Sequence, residues 1–387
     1  MKISAVTAFP LSVTFAEYFH GVQNVPEEYL KPAAHFQVIP RKGQCSTIVE
    51  IKCDNGLIGY GEAWGLPDPI CSSRYIDEIF SPALVGENPM EITKLWETLY
   101  SAMAGLGYTR GPAMEAISGI DQALWDIKGK FCHVPVYELL GGKFRDQVEC
   151  YGSPVMMYPS PQQSAERAKE LVKKGFGAIK LKAGRGIQTD LEHLAAVREA
   201  VGKNVKIMID MNCGYSGKLR EAVEFALEAE SYRIVWFEEP VSCENLEDAK
   251  WIRHKIHTPI AMGENLFSPY DFKSLILSGA ADIIMPNCGR VGGITGLNRI
   301  YHMAREFSIQ ISPHGVGSAV NILSTLQAMA SWSTASLFEY NQLVNPLRDS
   351  ILINGLSFQN GYISVPDFPG IGADVMQECL MKYLVKE

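Results

Sequence analysis

From about residue 147 the chain alternates short apolar runs with longer segments whose apolar residues recur at every third or fourth position. The short runs favour buried strands, and the longer segments favour helices with one buried face. Eight strand–helix units in series predict an α/β fold, a (β/α)8 barrel of the TIM type, over residues 131–345. The predicted strands are 148–152, 178–182, 206–210, 234–238, 259–263, 282–286, 309–312 and 337–340.

A doubly wound parallel sheet is the competing prediction for this alternation. Such a sheet binds its ligand at one switch point, where the strand order reverses. Here polar residues end nearly every predicted strand, which is typical of a barrel that carries its site at the C-terminal mouth. The barrel is therefore favoured.

Residues 1–130 are predicted to form an α+β capping domain. Apolar and charged residues alternate over 49–54, and Asn55-Gly56 predicts the hairpin turn that ends this strand. Helical spacing then extends over 70–133.

Two segments lie outside these regular patterns. Residues of about 15–40 form a long insert rich in aromatic residues and prolines, which predicts an ordered lid loop. Residues 346–387 carry short strand-like pieces and turns, and we expect this segment to return to the capping domain.

Composition narrows the class of partner. The chain has 387 residues, 47% of them hydrophobic, and a net charge of -8, which argues against a nucleic-acid partner. Its nine cysteines are scattered without a Cys-x-x-Cys pair, so a reducing cytoplasm is predicted. No apolar run is long enough to predict a membrane span. These features favour a cytoplasmic protein that acts on a small molecule.

Three carboxylates close successive apolar runs: Asp210, Glu238 and Glu264. Each alone could cap the following helix. On neighbouring parallel strands, however, their side chains converge at the mouth of the barrel. Oxygen ligands without Cys or His suit Mg²⁺ better than zinc or copper. The sequence therefore predicts a magnesium site.

Lys180 and Lys182 lie two residues apart on the second predicted strand, so both point to one face. An isolated pair of this kind is usually a solvated edge. At the barrel mouth, two neighbouring ammonium groups near a cation should each have a lowered pKa. Either lysine is then a candidate general base near neutral pH.

Further polar residues stand at the same strand ends. Glu239 follows Glu238 and should point away from the mouth, as a supporting partner. Asn212 and Asn265 could add hydrogen bonds around the metal. His314 ends the seventh predicted strand and should face the second strand across the mouth.

Glu339 ends the eighth predicted strand. If it is protonated, it could donate to a developing enediolate oxygen, and otherwise it forms a salt bridge at the rim. In the lid, His20 and the aromatic residues are predicted substrate contacts together with Trp64. Ordinary packing against the barrel is the alternative for these residues.

These motifs resemble the enolase superfamily, mandelate racemase subgroup, over essentially the whole chain. The resemblance is carried by Lys180-Leu181-Lys182, Ile209-Asp210-Met211-Asn212, Phe237-Glu238-Glu239-Pro240, Gly263-Glu264-Asn265, Val291-Gly292-Gly293-Ile294-Thr295-Gly296 and Ser312-Pro313-His314. It implies one essential Mg²⁺ held by Asp210, Glu238 and Glu264. It further implies that Lys182 takes part in abstracting the proton α to a substrate carboxylate.

One position departs from the subgroup, which pairs its histidine with an aspartate on the sixth strand. This chain has Asn287 there, and Asp282 begins the same strand and should lie at the wrong end. Asn287 can orient the His314 ring, but it cannot stabilise an imidazolium as a carboxylate does. His314 is then better suited to protonating a leaving group than to acting as a base.

The predicted function is therefore an acid-sugar dehydratase that forms a 2-keto-3-deoxy acid, with Mg²⁺ as its cofactor. A sugar-lactone cycloisomerase, or a racemase or epimerase of a 2-hydroxy acid, would use the same enolate chemistry. A non-catalytic relative is disfavoured because a binding scaffold needs no such set of residues. We also expect a homo-oligomer.

Overall fold

The protein consists of a small antiparallel sheet with its helices and a barrel of parallel strands, seen in a computed structural model that describes residues 1–334 and 336–385. Its strands are β1 Ile3–Thr14, β2 Gly43–Cys53, β3 Ile58–Ala63, β4 Gln147–Val155, β5 Ala178–Lys182, β6 Lys206–Asp210, β7 Ile234–Glu238, β8 Ile260–Met262, β9 Ile283–Ile284, β10 Gln310–Ile311, β11 Phe338–Asn341, β12 Phe358–Gln359 and β13 Tyr362–Ser364.

The helices alternate with the strands through the barrel. They are α1 Phe15–Tyr18, α2 Glu27–Leu30, α3 Pro69–Arg74, α4 Ser81–Leu84, α5 Ile92–Leu106, α6 Pro112–Cys132, α7 Val136–Leu139, α8 Pro161–Lys173, α9 Ile187–Val201, α10 Leu219–Ala229, α11 Leu246–Arg253, α12 Pro269–Ser278, α13 Gly293–Glu306, α14 Ala319–Ala330, α15 Pro346–Asp349 and α16 Gln377–Tyr383. Short 3-10 helices span Val22–Asn24, Ala34–Gln37 and Glu230–Tyr232, and a π-helical turn spans Tyr75–Phe80.

The barrel strands β4 to β10 pair in chain order, all parallel, and β11 pairs with β4 on the other side. Between β10 and β11 the Ser312 hydroxyl donates to the Leu337 carbonyl at 2.8 Å. The predicted barrel is confirmed, and β5, β6 and β7 have the predicted bounds. Strands β8, β9 and β10 are only two or three residues long, shorter than predicted.

The barrel interior is packed rather than hollow. One buried cluster comprises Tyr151, Ala178, Met208, Trp236, Ala261, Ile283 and Met285, contributed by strands around the barrel. These large side chains fill the space below the strand ends, as expected for a barrel of eight strands. The site above them therefore rests on a rigid floor.

The capping domain is built on the antiparallel sheet β1-β2-β3, and the long helix α6 crosses it. The helix approaches β3 so closely that a Cβ atom on Gly61 would lie 2.0 Å from the Gly119 carbonyl oxygen. Polar side chains on α6 then bind the barrel: Ser118 accepts from the Gly292 N–H at 2.8 Å, and Trp125 donates to Thr295 at 2.9 Å. This seam fixes the cap over the mouth.

The C-terminal segment contacts both parts of the molecule. The hairpin of β12 and β13 pairs antiparallel with the start of β4. Further on, Leu384 bridges to Leu11 of β1, and the Val385 N–H donates to the Pro10 carbonyl at 2.8 Å. Among the helices that the structure describes, none has the length and apolar character needed to cross a membrane.

Candidate active site

Three carboxylates meet at the C-terminal mouth of the barrel. Asp210 ends β6, Glu238 ends β7, and Glu264 follows β8 by two residues. One oxygen from each lies within 4.8 Å of the others, and all three residues are buried. Strand register brings them together, because Asp210 is paired with Glu238 across β6 and β7. Gly263 has a φ of 117°, a left-handed conformation that allows the chain to turn just before Glu264.

Both lysines of β5 point at these carboxylates. Lys180 Nζ is fully buried and lies 2.6 Å from Glu238, 3.2 Å from Asp210 and 3.0 Å from Glu339. Lys182 Nζ lies 2.5 Å from Asp210, and its side chain is 12% exposed. Of the two, only Lys182 lines the cavity above the site.

The expectation that both lysines have lowered pKa values is wrong for Lys180. Burial lowers its pKa, but Glu238 and Glu339 outweigh burial and hold the pKa well above the usual value. Lys180 is therefore a fixed positive charge in this structure. Lys182 is the lysine with access to a substrate.

The pKa values of Glu238 and Asp210 shift in opposite directions. Burial and the Asp210 charge raise the pKa of Glu238. Burial also disfavours charge on Asp210, but Lys182 and Lys180 outweigh it and lower its pKa. Crowded, buried carboxylates of this kind are stabilised by a cation.

The donor set fits a hard divalent cation. All three residues offer carboxylate oxygens, the ligands that such cations prefer. Glu264 Oε2 is buried and accepts no hydrogen bond from any described residue, although His314 Nε2 lies 3.3 Å away. A buried oxygen of this kind, beside two other acids, is suited to bind a metal ion. Asp210, Glu238 and Glu264 are thus the residues that would hold a metal.

His314 faces this cluster from the loop after β10. Its Nε2 lies 3.3 Å from Glu264 and 3.4 Å from Glu339. Its ring is 5.4 Å from the Trp64 ring, and both residues line the cavity. Burial lowers the His314 pKa, and the two carboxylates oppose that effect. The ring is therefore biased towards the neutral form.

Asn287 fixes which ring nitrogen carries the proton. Its Oδ1 accepts from the Gly289 N–H at 2.8 Å, which orients the amide. Its Nδ2 then faces His314 Nδ1 at 3.0 Å, and because an amide NH₂ can only donate, Nδ1 must accept. The proton of neutral His314 therefore sits on Nε2, towards the carboxylates. Asp282 pairs with Arg253 at 2.6 Å, before β9 and away from the histidine.

Glu339 lies in the charged cluster at the mouth, whereas Glu239 binds the backbone behind it. Burial raises the Glu339 pKa, but Lys180 and His314 outweigh it and lower it to about 2. The salt bridge at the rim is thus favoured over a protonated donor. Glu239 points away and accepts from the Gly263 N–H at 2.8 Å, and burial with Glu264 raises its pKa to about 8. It supports the turn that carries Glu264.

The two asparagines also differ. The Asn212 backbone N–H donates to Asp210 at 2.9 Å and its side-chain amide donates to Glu264 at 3.3 Å, so it binds two of the three acids. Asn265 instead accepts from Arg290 at 3.1 Å, and we find no hydrogen bond from its side chain to the three acids in the described chain. The structure therefore places the Asn265 side chain beside Arg290, whereas the sequence predicted a hydrogen bond to the metal ligands.

A cavity of about 490 Å³ opens above the carboxylates and is covered by part of the lid. His20 does not line it: this residue is exposed, and its carbonyl accepts from Asn24. The first half of the lid packs on itself instead, with the Tyr29 ring 5.1 Å from Phe19. The 3-10 helix Ala34–Gln37 instead brings His35 to the cavity, so the structure does not bear out the prediction for His20.

Two arginines at the cavity have no counterpart in the sequence prediction. Arg290 lies 4.4 Å above the Trp64 ring, pairs with Glu115 at 3.3 Å and donates to the Glu264 carbonyl at 3.1 Å. Arg41 comes from the end of the lid. Arg290 could have been suspected from its place after the sixth strand, but nothing in the local sequence marks Arg41.

Comparison with known proteins defines the class. Residues 23–141 match the mandelate racemase / muconate lactonizing enzyme N-terminal domain, and residues 163–379 match the enolase C-terminal domain-like family. The chain therefore belongs to the enolase superfamily, in its mandelate racemase subgroup, whose enzymes depend on a metal ion.

Individual relatives carry two kinds of name. The chain is 34% identical to the D-galactarolactone cycloisomerase of Agrobacterium fabrum, over 87% of this chain and 90% of that protein. It is 32% identical to the D-xylonate dehydratase of Haloferax volcanii, over 88% and 85%. A crystal structure of the 3,6-anhydro-D-galactonate cycloisomerase from Zobellia galactanivorans superposes with a TM-score of 0.87, at 31% identity over 100% of both chains.

Proposed function

We propose that this protein is a Mg²⁺-dependent dehydratase of an acid sugar, forming a 2-keto-3-deoxy acid. The observation that supports this most directly is the position of Lys182 and His314. They lie on β5 and after β10, on opposite sides of the barrel mouth, and both line one cavity beside the three acids. A base on one side and a proton donor on the other suit removal of water across a carbon–carbon bond.

Asp210, Glu238 and Glu264 would hold the ion, which when bound supplies neutralising charge for the substrate carboxylate. Lys182, as the neutral amine, takes the proton from the α-carbon. Lys180 stays charged and adds a fixed positive field beside the developing negative charge. His314, as the imidazolium that Glu339 and Glu264 favour, gives its Nε2 proton to the β-hydroxyl as the C–O bond breaks and returns to the neutral ring, so water leaves and an enol remains. The enol then tautomerises to the 2-keto acid.

A sugar-lactone cycloisomerase is the second candidate. Two of the most similar relatives carry cycloisomerase names, whereas other relatives carry dehydratase names. The same α-proton removal can expel a ring oxygen instead of water, and His314 would protonate that oxygen. A racemase is less well supported, because the proton on Nε2 leaves His314 without a free base towards the cavity.

The test is a panel of acid sugars and sugar lactones assayed with Mg²⁺ in D₂O. A dehydratase releases a 2-keto acid with loss of water, whereas a cycloisomerase gives a product of unchanged mass apart from incorporated deuterium. Substrates that exchange the α-proton and yield only the stereoisomer inverted at the α-carbon would support a racemase or epimerase instead. Absence of both turnover and α-exchange across the panel would contradict the proposal. Oligomeric state and cellular location stay predictions from the sequence.

A further inference from the structure

Arg41 is a buried cation at the active-site cavity. It ends the lid, is 7% exposed and contributes to the cavity wall together with Lys182 and His314. The other lysine and arginine side chains of this wall each have a carboxylate partner: Lys182 lies beside Asp210, and Arg290 lies beside Glu115. Within residues 1–334 and 336–385, no carboxylate forms an ion pair with Arg41.

The guanidinium is held in place by neutral groups. Its Nε donates to the Gly43 carbonyl at 3.0 Å, and its Nη2 donates to the Gln44 side chain at 2.5 Å. Gln44 in turn donates to the Val344 carbonyl at 2.7 Å, which ties the arginine to the segment after β11. Two of its five N–H groups are used, and no hydrogen bond from Nη1 is found in the described part of the chain. The side chain is therefore oriented, but its charge is not neutralised.

An uncompensated buried charge is costly unless something pairs with it. Burial lowers the Arg41 pKa to about 10, a sign of that cost. The cavity acids Glu264 and Glu339 are both engaged at the metal end, where His314 lies within 3.4 Å of each. The lid histidine His35 also lines the cavity and is within electrostatic reach of both Lys182 and Arg41.

We propose that Arg41 binds a second carboxylate of the substrate, at the end remote from the metal, so that the physiological substrate is a dicarboxylic acid sugar or its monolactone. This inference rests on the proposed function, because that function places the reacting carboxylate at the three acids. A planar carboxylate matches the fork of a guanidinium. One uncompensated positive charge balances one carboxylate, whereas a phosphate monoester carries up to two negative charges.

The test uses pairs of compounds that differ only at C6. Galactarate and D-glucarate carry a carboxylate there, and D-galactonate and D-gluconate carry a hydroxymethyl group. We expect the wild-type enzyme to prefer at least one diacid, or its monolactone, over the matching monoacid in kcat/KM. Arg41→Gln should lower kcat/KM for that diacid by about 10- to 100-fold, mainly through KM, and change the monoacid less than threefold.

Two further variants separate the charge from the fold of the lid. Arg41→Lys keeps the positive charge and should recover part of the preference for the diacid. Lys42→Gln removes a charge from the neighbouring, exposed residue and should leave the preference unchanged. Binding measured by calorimetry in a Lys182→Ala background, where turnover is blocked, should show the same ratio of diacid to monoacid affinity.

Several outcomes would overturn the inference. One is an equal loss for diacid and monoacid in Arg41→Gln, which would make Arg41 a support of the lid only. A second is a wild-type enzyme that prefers monoacids, and a third is a preference for 6-phosphogluconate that depends on Arg41. In each of these cases turnover persists, so the proposed function stands. If none of the compounds reacts or exchanges its α-proton, the proposed function fails first.

Discussion

Buried carboxylates in two regions of this molecule, under the cap and at the barrel mouth, have different surroundings. Under the cap, Asp126 accepts from the backbone N–H groups of Tyr60 and Ile371, each at 2.9 Å. At the barrel mouth, Glu238 and Glu264 are surrounded by ammonium groups, a histidine and other acids. Backbone donors satisfy an acid permanently and make it structural. Carboxylates that lie close together repel one another, so binding of a positive charge between them is favourable. Such a cluster indicates a functional site.

The substitution Glu264→Gln should have the largest effect, and it tests whether the acids at the barrel mouth bind a metal ion. We expect kcat/KM to fall by at least about 10³-fold, because one ligand of the metal is lost. The melting temperature should no longer rise when Mg²⁺ is added, whereas the wild type should lose that rise on treatment with EDTA. In metal-free buffer the free energy of unfolding should stay within about 1 kcal/mol of the wild type, since Glu264 Oε2 accepts no hydrogen bond from the part of the chain that the structure describes. Retention of the Mg²⁺ response would contradict the metal assignment.

Lys182→Ala tests the base beside the metal ligands. Turnover and α-proton exchange in D₂O should both fall by about 10²- to 10⁴-fold, the usual contribution of a general base. The Mg²⁺-dependent rise in melting temperature should remain. Lys206→Ala is a matched control, because Lys206 begins the next strand at the other end of the barrel and is exposed. Full α-exchange in Lys182→Ala would transfer the role to another residue.

The opposite behaviour is expected for Asp126→Ala. This change leaves the Tyr60 and Ile371 N–H groups without their acceptor. It also removes the ion pair of Lys130, whose ammonium keeps the Ile58 carbonyl as an acceptor. The free energy of unfolding, measured in urea, should fall by about 2–4 kcal/mol. Below the unfolding transition, kcat/KM and the Mg²⁺ response should stay within about threefold of the wild type. A selective loss of Mg²⁺ binding would place this acid in the same functional group as Glu264.

The smallest effect concerns the two lid histidines. His35→Ala should change KM by about threefold to tenfold, because the ring lines the cavity. His20→Ala should change it less than twofold, since that residue is exposed and its side chain is outside the cavity wall. Equal effects of the two substitutions on KM would show that the lid closes differently when substrate is bound.

The barrel and its acids were predictable because each is a local signal. The apolar runs that end in Asp210 and Glu238 each predict a strand with an acid at its C-terminal end, and this prediction needs no information from the rest of the chain. The lid was not predictable in detail, because its course depends on distant partners such as Met157, whose N–H donates to the Pro32 carbonyl at 3.3 Å. The local sequence around His20 and His35 carries no trace of such contacts, so it could not show which of the two lines the cavity.

The charge of Lys180 could not be read from the sequence either. Its neighbour Lys182 suggested a lowered pKa, but the decisive contacts are Glu238 and Glu339, which come from β7 and β11. Only the closed barrel brings those strands to β5. Electrostatics at the mouth thus depend on tertiary structure even where the residue types are obvious.

Strand β4 pairs on one edge with β11 and, at its start, with β13. Phe338 of β11 pairs with Cys150, and Tyr362 of β13 pairs with Glu149, so both partners come from much later in the chain. During synthesis on the ribosome, this edge stays open until those late residues have emerged. An unpaired strand edge can form backbone hydrogen bonds with other chains. The nascent protein is therefore exposed to misassembly for a long period. We expect that its yield in a cell depends strongly on how well chaperones protect the unfinished barrel.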